Sequence, residues 1–203
     1  MGEKKFGLFI SPPAGGKGST IKPFNRATVP ISMSGVLKQW KTHSEYGCAI
    51  QHAFKEGTLV PDHIVAKAFD QAWEEIKPAL GNQVPMLDGG MRTIHQANLV
   101  MKILHKDGFM PYVILMPTPT EICLERAKSR MREDDYLIKA RLEEYKRVTI
   151  PLMKSLHKRR KSMHLLLVYG ALPLRQRVER VAEFLGINPD EKVLLEVCST
   201  IQN

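Results

Sequence analysis

The stretch from Phe6 to Thr20, FGLFISPPAGGKGST, decides how the rest of the chain is read. Phe6 to Ile10 is a short apolar run that suits one buried strand, and Ser11-Pro12-Pro13 ends it. Ala14-Gly15-Gly16-Lys17-Gly18-Ser19-Thr20 then offers small residues, a cation and two hydroxyls. Strand, glycine-rich turn and helix is a geometry in which backbone N–H groups converge on an anion. A lysine placed there reaches the outer phosphates of a nucleotide. A strict G-x-x-x-x-G-K-[ST] loop would have glycine at position 11 and a hydroxyl residue at position 18, where this chain has Ser11 and Gly18. A flexible glycine turn between strand and helix therefore competes with the phosphate-loop reading on this stretch alone.

Outward from the loop, apolar runs alternate with amphipathic segments. Pro23 limits the first helix to about Ile21. Ala27 to Ser32 reads as a second strand, and Ser34-Gly35 begins a helix over Val36 to Lys41. Residues 46 to 57 form a further helix closed by Gly57. Asp62 can cap a helix from His63 to Ile76, stopped by Pro78. Val84 to Leu87 is a strand ending in Asp88-Gly89-Gly90, and a helix follows from Thr93 to about His105, closed by Asp107-Gly108. Tyr112 to Met116 is another strand, and Pro119-Thr120-Glu121 opens a helix to about Arg130. Asp134 can cap one long helix to near Ser155. His164 to Tyr169 is the last strand, Leu174 to Leu185 the last clear helix, and KVLLEV adds a short helix in the tail after Asn188.

Five apolar runs alternating with helices predict an α/β fold, a parallel sheet covered on both faces. Ligands in such folds bind beyond the carboxyl ends of the strands. That places Ser11 to Ser19, Ser32 to Gly35, Asp88 to Arg92, Pro117 to Thr120 and Gly170 to Pro173 around one crevice. A length of 203 residues fits one domain, and 43% apolar content is ample for a core. The formal net charge of +9 favours anionic partners. Cys48, Cys123 and Cys198 are widely spaced, which argues against a zinc knuckle or disulfide framework and fits a reducing compartment. The apolar run near the start is too short for a signal peptide, so a cytosolic protein without a membrane partner is expected.

Asp88 ends a hydrophobic strand, where a carboxylate can reach Mg2+ through water beside bound phosphates; a turn or cap aspartate fits the same position. Arg92 and Gln96 share a helix face, one offering a phosphate fork and the other an amide for a base edge. Arg126 and Arg130 also share a face, and Arg132, Asp134, Asp135 and Arg141 follow. Converging arginines stabilise a phosphoryl group in transfer, whereas the same residues on an ordinary helix surface form weak ion pairs. Lys158-Arg159-Arg160-Lys161 reads as a solvated helix end, since no interleaved aromatics support a nucleic-acid patch.

Taken in order, these motifs resemble the adenylate kinase family of nucleoside monophosphate kinases. PPAGGKGST resembles the family's G-x-P-G-x-G-K-G-T loop, and ISMSGVLK (Ile31 to Lys38) its I-S-T-G-D-L-L-R segment. EGTLVPDHIV (Glu56 to Val65) is similar to G-x-L-V-P-D-E-I-V, and LDGGMRTIHQA to L-D-G-F-P-R-T-x-x-Q-A. Glu125-Arg126, Arg130, Arg132, Asp134-Asp135 and Arg141-Leu142 follow E-R-x-x-x-R-x-R-x-D-D…R-L, and Gly170 to Pro173 follows G-x-x-P. The likeness covers about residues 5 to 185.

The resemblance implies a P-loop NTPase-like three-layer fold with a five-stranded parallel sheet. It implies one kinase domain over 1–203, a mobile monophosphate-binding segment near 33–65 and a short lid near 130–135. It implies reversible transfer from Mg-ATP to AMP, giving two ADP, by a monomer. Lys17, Arg92, Arg132 and Arg141 would be catalytic. Ala14, Gly15, Gly16, Lys17, Gly18, Ser19, Arg126, Gly170 and Leu172 would hold ATP, with Ser19 and Asp88 serving Mg2+. Ser32, Met33, Lys38, Leu59, Val60, Gly89, Arg92, Gln96, Arg132 and Arg141 would hold the monophosphate. Thr93 and Gln96 suit AMP-using members better than UMP- or CMP-using ones. Ser11, Ala14, Met33 to Gly35, Lys38 and Gly90-Met91 depart from the family pattern. A UMP or CMP kinase, or a nucleotide- or RNA-binding module with weak turnover, are the rival readings.

Overall fold

The computed structural model describes residues 2–43, 45–130, 135–158 and 162–202. Arg132 and Asp134, with most of the expected lid, and residues 159–161 of the basic run lie outside them. Five strands, β1 (Lys4–Ile10), β2 (Thr28–Ser32), β3 (Val84–Asp88), β4 (Phe109–Leu115) and β5 (His164–Leu167), form one sheet. Every pairing is parallel and the order is β2-β3-β1-β4-β5, so the strand that feeds the glycine loop lies at the centre.

Side chains alternate across the pleat, which divides the core in two. Phe6, Leu8 and Ile10 of β1 join Leu87, Val113 and Leu115 on one face. Phe9 joins Met86, Tyr112 and Ile114 on the other. The first face is covered by α4 (Asp62–Ile76) and α5 (Ile94–Lys106), with Phe69 and Trp73 closing over Phe6 edge to face at 6.0 and 5.2 Å. The second is covered by α9 (Leu174–Leu185) and α10 (Glu191–Gln202), which bury Val178, Val181 and Leu194. The tail after Gly186 is thus a core element, anchored where Asp190 accepts the N–H groups of Lys192 and Val193.

The remaining helices are α1 (Lys17–Ile21), α2 (Met33–His43), α3 (Gly47–Glu56), α6 (Thr120–Arg130), α7 (Ile138–Glu144) and α8 (Ile150–Lys158). Several boundaries differ from the sequence expectation, each for a local reason. The second helix starts at Met33 rather than Val36, because the Ser32 hydroxyl at the strand end accepts the Gly35 N–H at 3.4 Å. Asp62 makes no cap; it lies in the first turn of α4 and accepts the Thr93 hydroxyl at 3.0 Å. The expected long helix to Ser155 runs without interruption from α7 through Tyr145–Thr149 into α8, with its winding widened over those five residues. Pro151 has no N–H to donate one turn back, which favours that looser winding. The fourth strand starts at Phe109, ahead of Pro111, because β5 pairs with it only from Tyr112 onward.

Asp107, at the end of α5, ties the two halves of the first face together. Its Oδ2 accepts the indole N–H of fully buried Trp73 at 2.6 Å and the Lys77 ammonium at 3.2 Å. The Trp73 hydrogen bond, and after it Lys77, lowers the Asp107 pKa although burial opposes the shift. A lowered carboxylate pKa stabilises the fold above the ordinary value of about 3.9, and that stabilisation is lost as pH falls through the lowered value. Asp107→Ala should therefore cost about 1–3 kcal/mol in urea unfolding at pH 7, the range for an orphaned buried donor. The gap from the unaltered protein should narrow in the same measurement below about pH 3.9; a gap that is constant with pH would remove the carboxylate from the account.

Candidate active site

The chain leaves Ile10 at the carboxyl end of β1 and turns tightly, the Gly15 N–H donating to the Pro12 carbonyl at 3.0 Å. Ala14 has φ 57°, the left-handed region, and among the described residues it is the one non-glycine there. Gly16, with φ 97°, precedes α1 directly. A Cβ on Gly16 would stand 2.6 Å from Arg177 Nη1 and 3.0 Å from Arg126 Nη1, so backbone angle and space both exclude a side chain.

Those two guanidinium groups hold the loop from behind. Arg126 on α6 donates to the Gly15 carbonyl at 2.8 Å and to the Gly170 carbonyl at 3.0 Å, and Thr118 Oγ1 adds a bond to Gly15 O at 3.2 Å. The Gly16 carbonyl accepts from Ser19 Oγ at 2.8 Å, Thr20 Oγ1 at 3.0 Å and Arg177 Nη1 at 3.1 Å. Arg177 Nη1 also donates to Thr20 Oγ1 at 2.9 Å. A trans peptide directs its C=O and N–H oppositely. Carbonyls held backward therefore aim the Gly16 and Lys17 N–H groups forward, away from the arginines.

Arg177 is 3% exposed. Burial, and then the like charge of Arg126, bring its guanidinium down to about 10, with Cys198 opposing. It stays charged at neutral pH. Sequence reading missed this residue, although the signal was present. Leu174, Arg177, Val178, Val181 and Leu185 are the buried stripe of α9, and an arginine on such a stripe needs a polar partner.

Asp88 ends β3 in register with Phe9 of β1 and Ser32 of β2, and its carboxylate pairs with the Lys17 ammonium. Gly89 continues beside Lys17, where a Cβ would lie 3.6 Å from Nζ. Gly90, at φ 89°, leaves room for Met33. Met33 is 2% exposed and belongs to the core, packed under the Gly90 turn.

Arg92 follows, and its N–H donates to Gln96 Oε1 at 2.8 Å. Gln96 is buried, and its own N–H is capped by the Thr93 hydroxyl at 3.0 Å. Because a backbone donor occupies the Gln96 oxygen, the amide's NH2 end is the group directed elsewhere. Arg92 is exposed to solvent, and crowding by the surrounding chain, then the like charge of Arg141 on α7, lower its pKa, while Glu144 opposes. Arg141 also runs beside Gly57, where a Cβ would meet its Cγ at 3.7 Å, so α7 meets the end of α3. Val60 is buried, Leu59 half-buried and Lys38 exposed on α2. Gly18 is exposed on α1, and Leu172 closes a turn through its N–H to the Tyr169 carbonyl at 3.1 Å. A hollow of about 710 Å3 opens at the opposite end of the sheet, lined by Lys4, Lys5, Val84 and Phe109. It shares no residue with the loop.

Over 152 residues the chain is 32% identical to an adenylate kinase of Corynebacterium urealyticum, covering 72% of this chain and 82% of that protein. The chain belongs to the adenylate kinase family. It is also 30% identical to adenylate kinase 1 of a Nostoc species, covering 72% of this chain and 81% of that one. Its similarity to UMP-CMP kinase 2 of Caenorhabditis elegans is 25% over 157 residues, 73% and 81% of the two chains. No family model matches. Against this adenylate kinase family background, the five-stranded parallel sheet and the glycine loop are as the sequence predicted.

The φ of 57° at Ala14 costs an L-residue roughly 1–2 kcal/mol, partly offset by the entropy that glycine would lose on folding. Ala14→Gly should hold or raise the thermal midpoint, by up to about 3 °C for a domain of this size. A clear fall in a calorimetric scan would show that the position is not strained.

Proposed function

We propose that this protein is a nucleoside monophosphate kinase that transfers the γ-phosphoryl group of ATP to AMP, giving two ADP. The observation that carries the reading is the group of cations at the carboxyl end of the central strands. Lys17 stands against Asp88, and Arg92 and Arg141 lie close enough to depress the former's pKa. Two adjacent guanidiniums suit a phosphoryl group whose three oxygens share charge.

In this reading the loop from Ala14 to Ser19 holds the ATP phosphates and Lys17 follows the migrating group. Arg92, Arg141 and Arg132 clamp the monophosphate and the group in flight. A phosphate oxygen of AMP attacks the γ-phosphorus in line, and the bond to the β–γ bridging oxygen breaks, leaving ADP on both sides. The attacking oxygen is already anionic, so positioning and charge stabilisation suffice without a protein nucleophile. Arg126 uses its edge N–H groups on Gly15 and Gly170, which leaves its face to stack on the ATP adenine near Leu172. Gln96, Leu59, Val60 and Gly89 would border the AMP base, with Ser32 and Lys38 toward its ribose and phosphate.

The residues fit Mg2+. Among the described residues no cluster of three or more histidines, cysteines or carboxylates could cage a metal. One carboxylate, Asp88, and the Ser19 hydroxyl are the hard oxygen donors beside the loop, which suits an ion that keeps its waters and phosphates. Bound there, Mg2+ would neutralise charge on the phosphate oxygens. We further propose that residues near 33–65 and the short segment near 130–135 close over the two nucleotides. No helix among the described residues is long and apolar enough to cross a membrane.

The similarity to UMP-CMP kinase 2 supports a second reading, a pyrimidine monophosphate acceptor. Purified protein with ATP, Mg2+ and each monophosphate in turn separates the two. AMP should turn over fastest; turnover with UMP or CMP but not AMP would overturn the AMP assignment, and none with any would leave a binding module. Arg92→Ala should lower kcat/KM by about a hundredfold or more, as for loss of one transition-state donor. An unchanged rate would remove Arg92 from the mechanism.

A further inference from the structure

Arg177 stands apart from every motif that points to the family. It projects from the buried stripe of α9, passes behind Gly16 and touches the loop through Gly16 O and Thr20 Oγ1. Its Nε is buried without a hydrogen-bond partner. Arg126, the next cation, stands beside it behind Gly16 and repels it. Among the described residues no carboxylate stands within ion-pair distance of either guanidinium. A buried positive charge without a protein counter-charge, beside a second, half-buried one, is an unfavourable arrangement in the empty fold.

We infer that Arg177 is a positioning residue of the phosphate loop, whose charge and fork are balanced by the polyphosphate of the bound nucleotide in front of the loop. The inference rests on the proposal that the loop binds ATP. Two effects act together. The Nη1 group, through Thr20 Oγ1 and directly, fixes the Gly16 carbonyl backward, so the Lys17 N–H points forward before the ligand arrives. The charge, screened by little water, adds to the positive field that the phosphates meet. Both favour the anion more than they favour the empty protein, because the empty protein bears the repulsion and desolvation alone. A packing arginine would behave the other way, holding the fold together with or without nucleotide.

The test uses the full chain with Arg177→Met, Arg177→Lys and Thr20→Val. The probes are Mg-ATP and inorganic tripolyphosphate, with calorimetric Kd, the thermal midpoint with and without ligand, and kcat and KM for ATP. Arg177→Met should melt at or above the unaltered protein without ligand, since an unpaired buried charge is removed. It should bind both probes at least tenfold more weakly and gain a smaller ligand-induced rise in midpoint. KM for ATP should rise more than kcat falls. Arg177→Lys, which keeps charge without the fork, and Thr20→Val, which removes the shared hydroxyl, should each fall between the two. Should the methionine variant fail to fold, the lysine variant's Kd decides alone. A lowered midpoint with unchanged affinity for both probes would overturn the inference and leave Arg177 a packing residue. Binding of neither probe by the unaltered protein would overturn the ATP-loop reading, and this inference with it.

Discussion

The structure depends on one constraint: the peptide groups after β1 must turn their carbonyls inward so that their N–H groups face the cleft. Carbonyl oxygens buried without donors would be costly, so the inward side needs donors from elsewhere in the fold. Arg126, Thr118, Thr20 and Arg177 supply them. These residues come from three separate parts of the chain, and each sits where a layer of the fold brings it. Arg126 lies on the helix after β4, Arg177 on the helix after β5, and Thr118 in the turn between β4 and α6. The loop is held in shape by α9, which covers the second face, together with α6, which packs with α7 in a small cluster of its own.

That dependence explains why so many expected positions fall at strand ends. With β1 central, the ends of β3 and β4 flank it, and the register sets Asp88 beside Phe9. The Lys17–Asp88 pair then follows from topology and needs no precise loop packing. Gly89 and Gly90 continue at positive φ, which lets the chain lie flat against Met33 before Arg92 turns outward. Met33 and Gly90, both departures from the family pattern, are thus complementary in space. The methionine side chain fills space that a residue larger than glycine at position 90 would occupy.

The sheet, the loop and the strand-end residues were legible because each leaves a local mark: a continuous apolar run, a glycine cluster or a carboxylate after a strand. Gly57 and Gly186 close helices at φ 68° and 66°, as glycine after an amphipathic run predicts. What was not legible were partnerships across the fold. The neighbours of Asp62 mark it as a cap, yet its partner Thr93 lies 31 positions away. Arg177 sits on the apolar stripe of α9, which marks it as inward, but its partners Gly16 and Thr20 lie 161 and 157 positions away. The widened turn at Tyr145–Thr149 is local, but its cause, Pro151, lies beyond it and acts backward through a missing donor.

Two arginines behind a glycine loop also bear on how an irregular loop can still work. Ser11 and Ala14 stand where the family pattern has glycine, and Ala14 holds a strained angle. A loop with fewer glycines is stiffer, and stiffness helps only if the geometry it favours is the binding one. Hydrogen bonds to two successive carbonyls impose that geometry from outside, so the backbone freedom that glycine offers is less needed. Backing by Arg126 and Arg177, and the loss of flexibility at Ala14, are then parts of one arrangement. The loop's shape is set by the helices behind it as much as by its own residues.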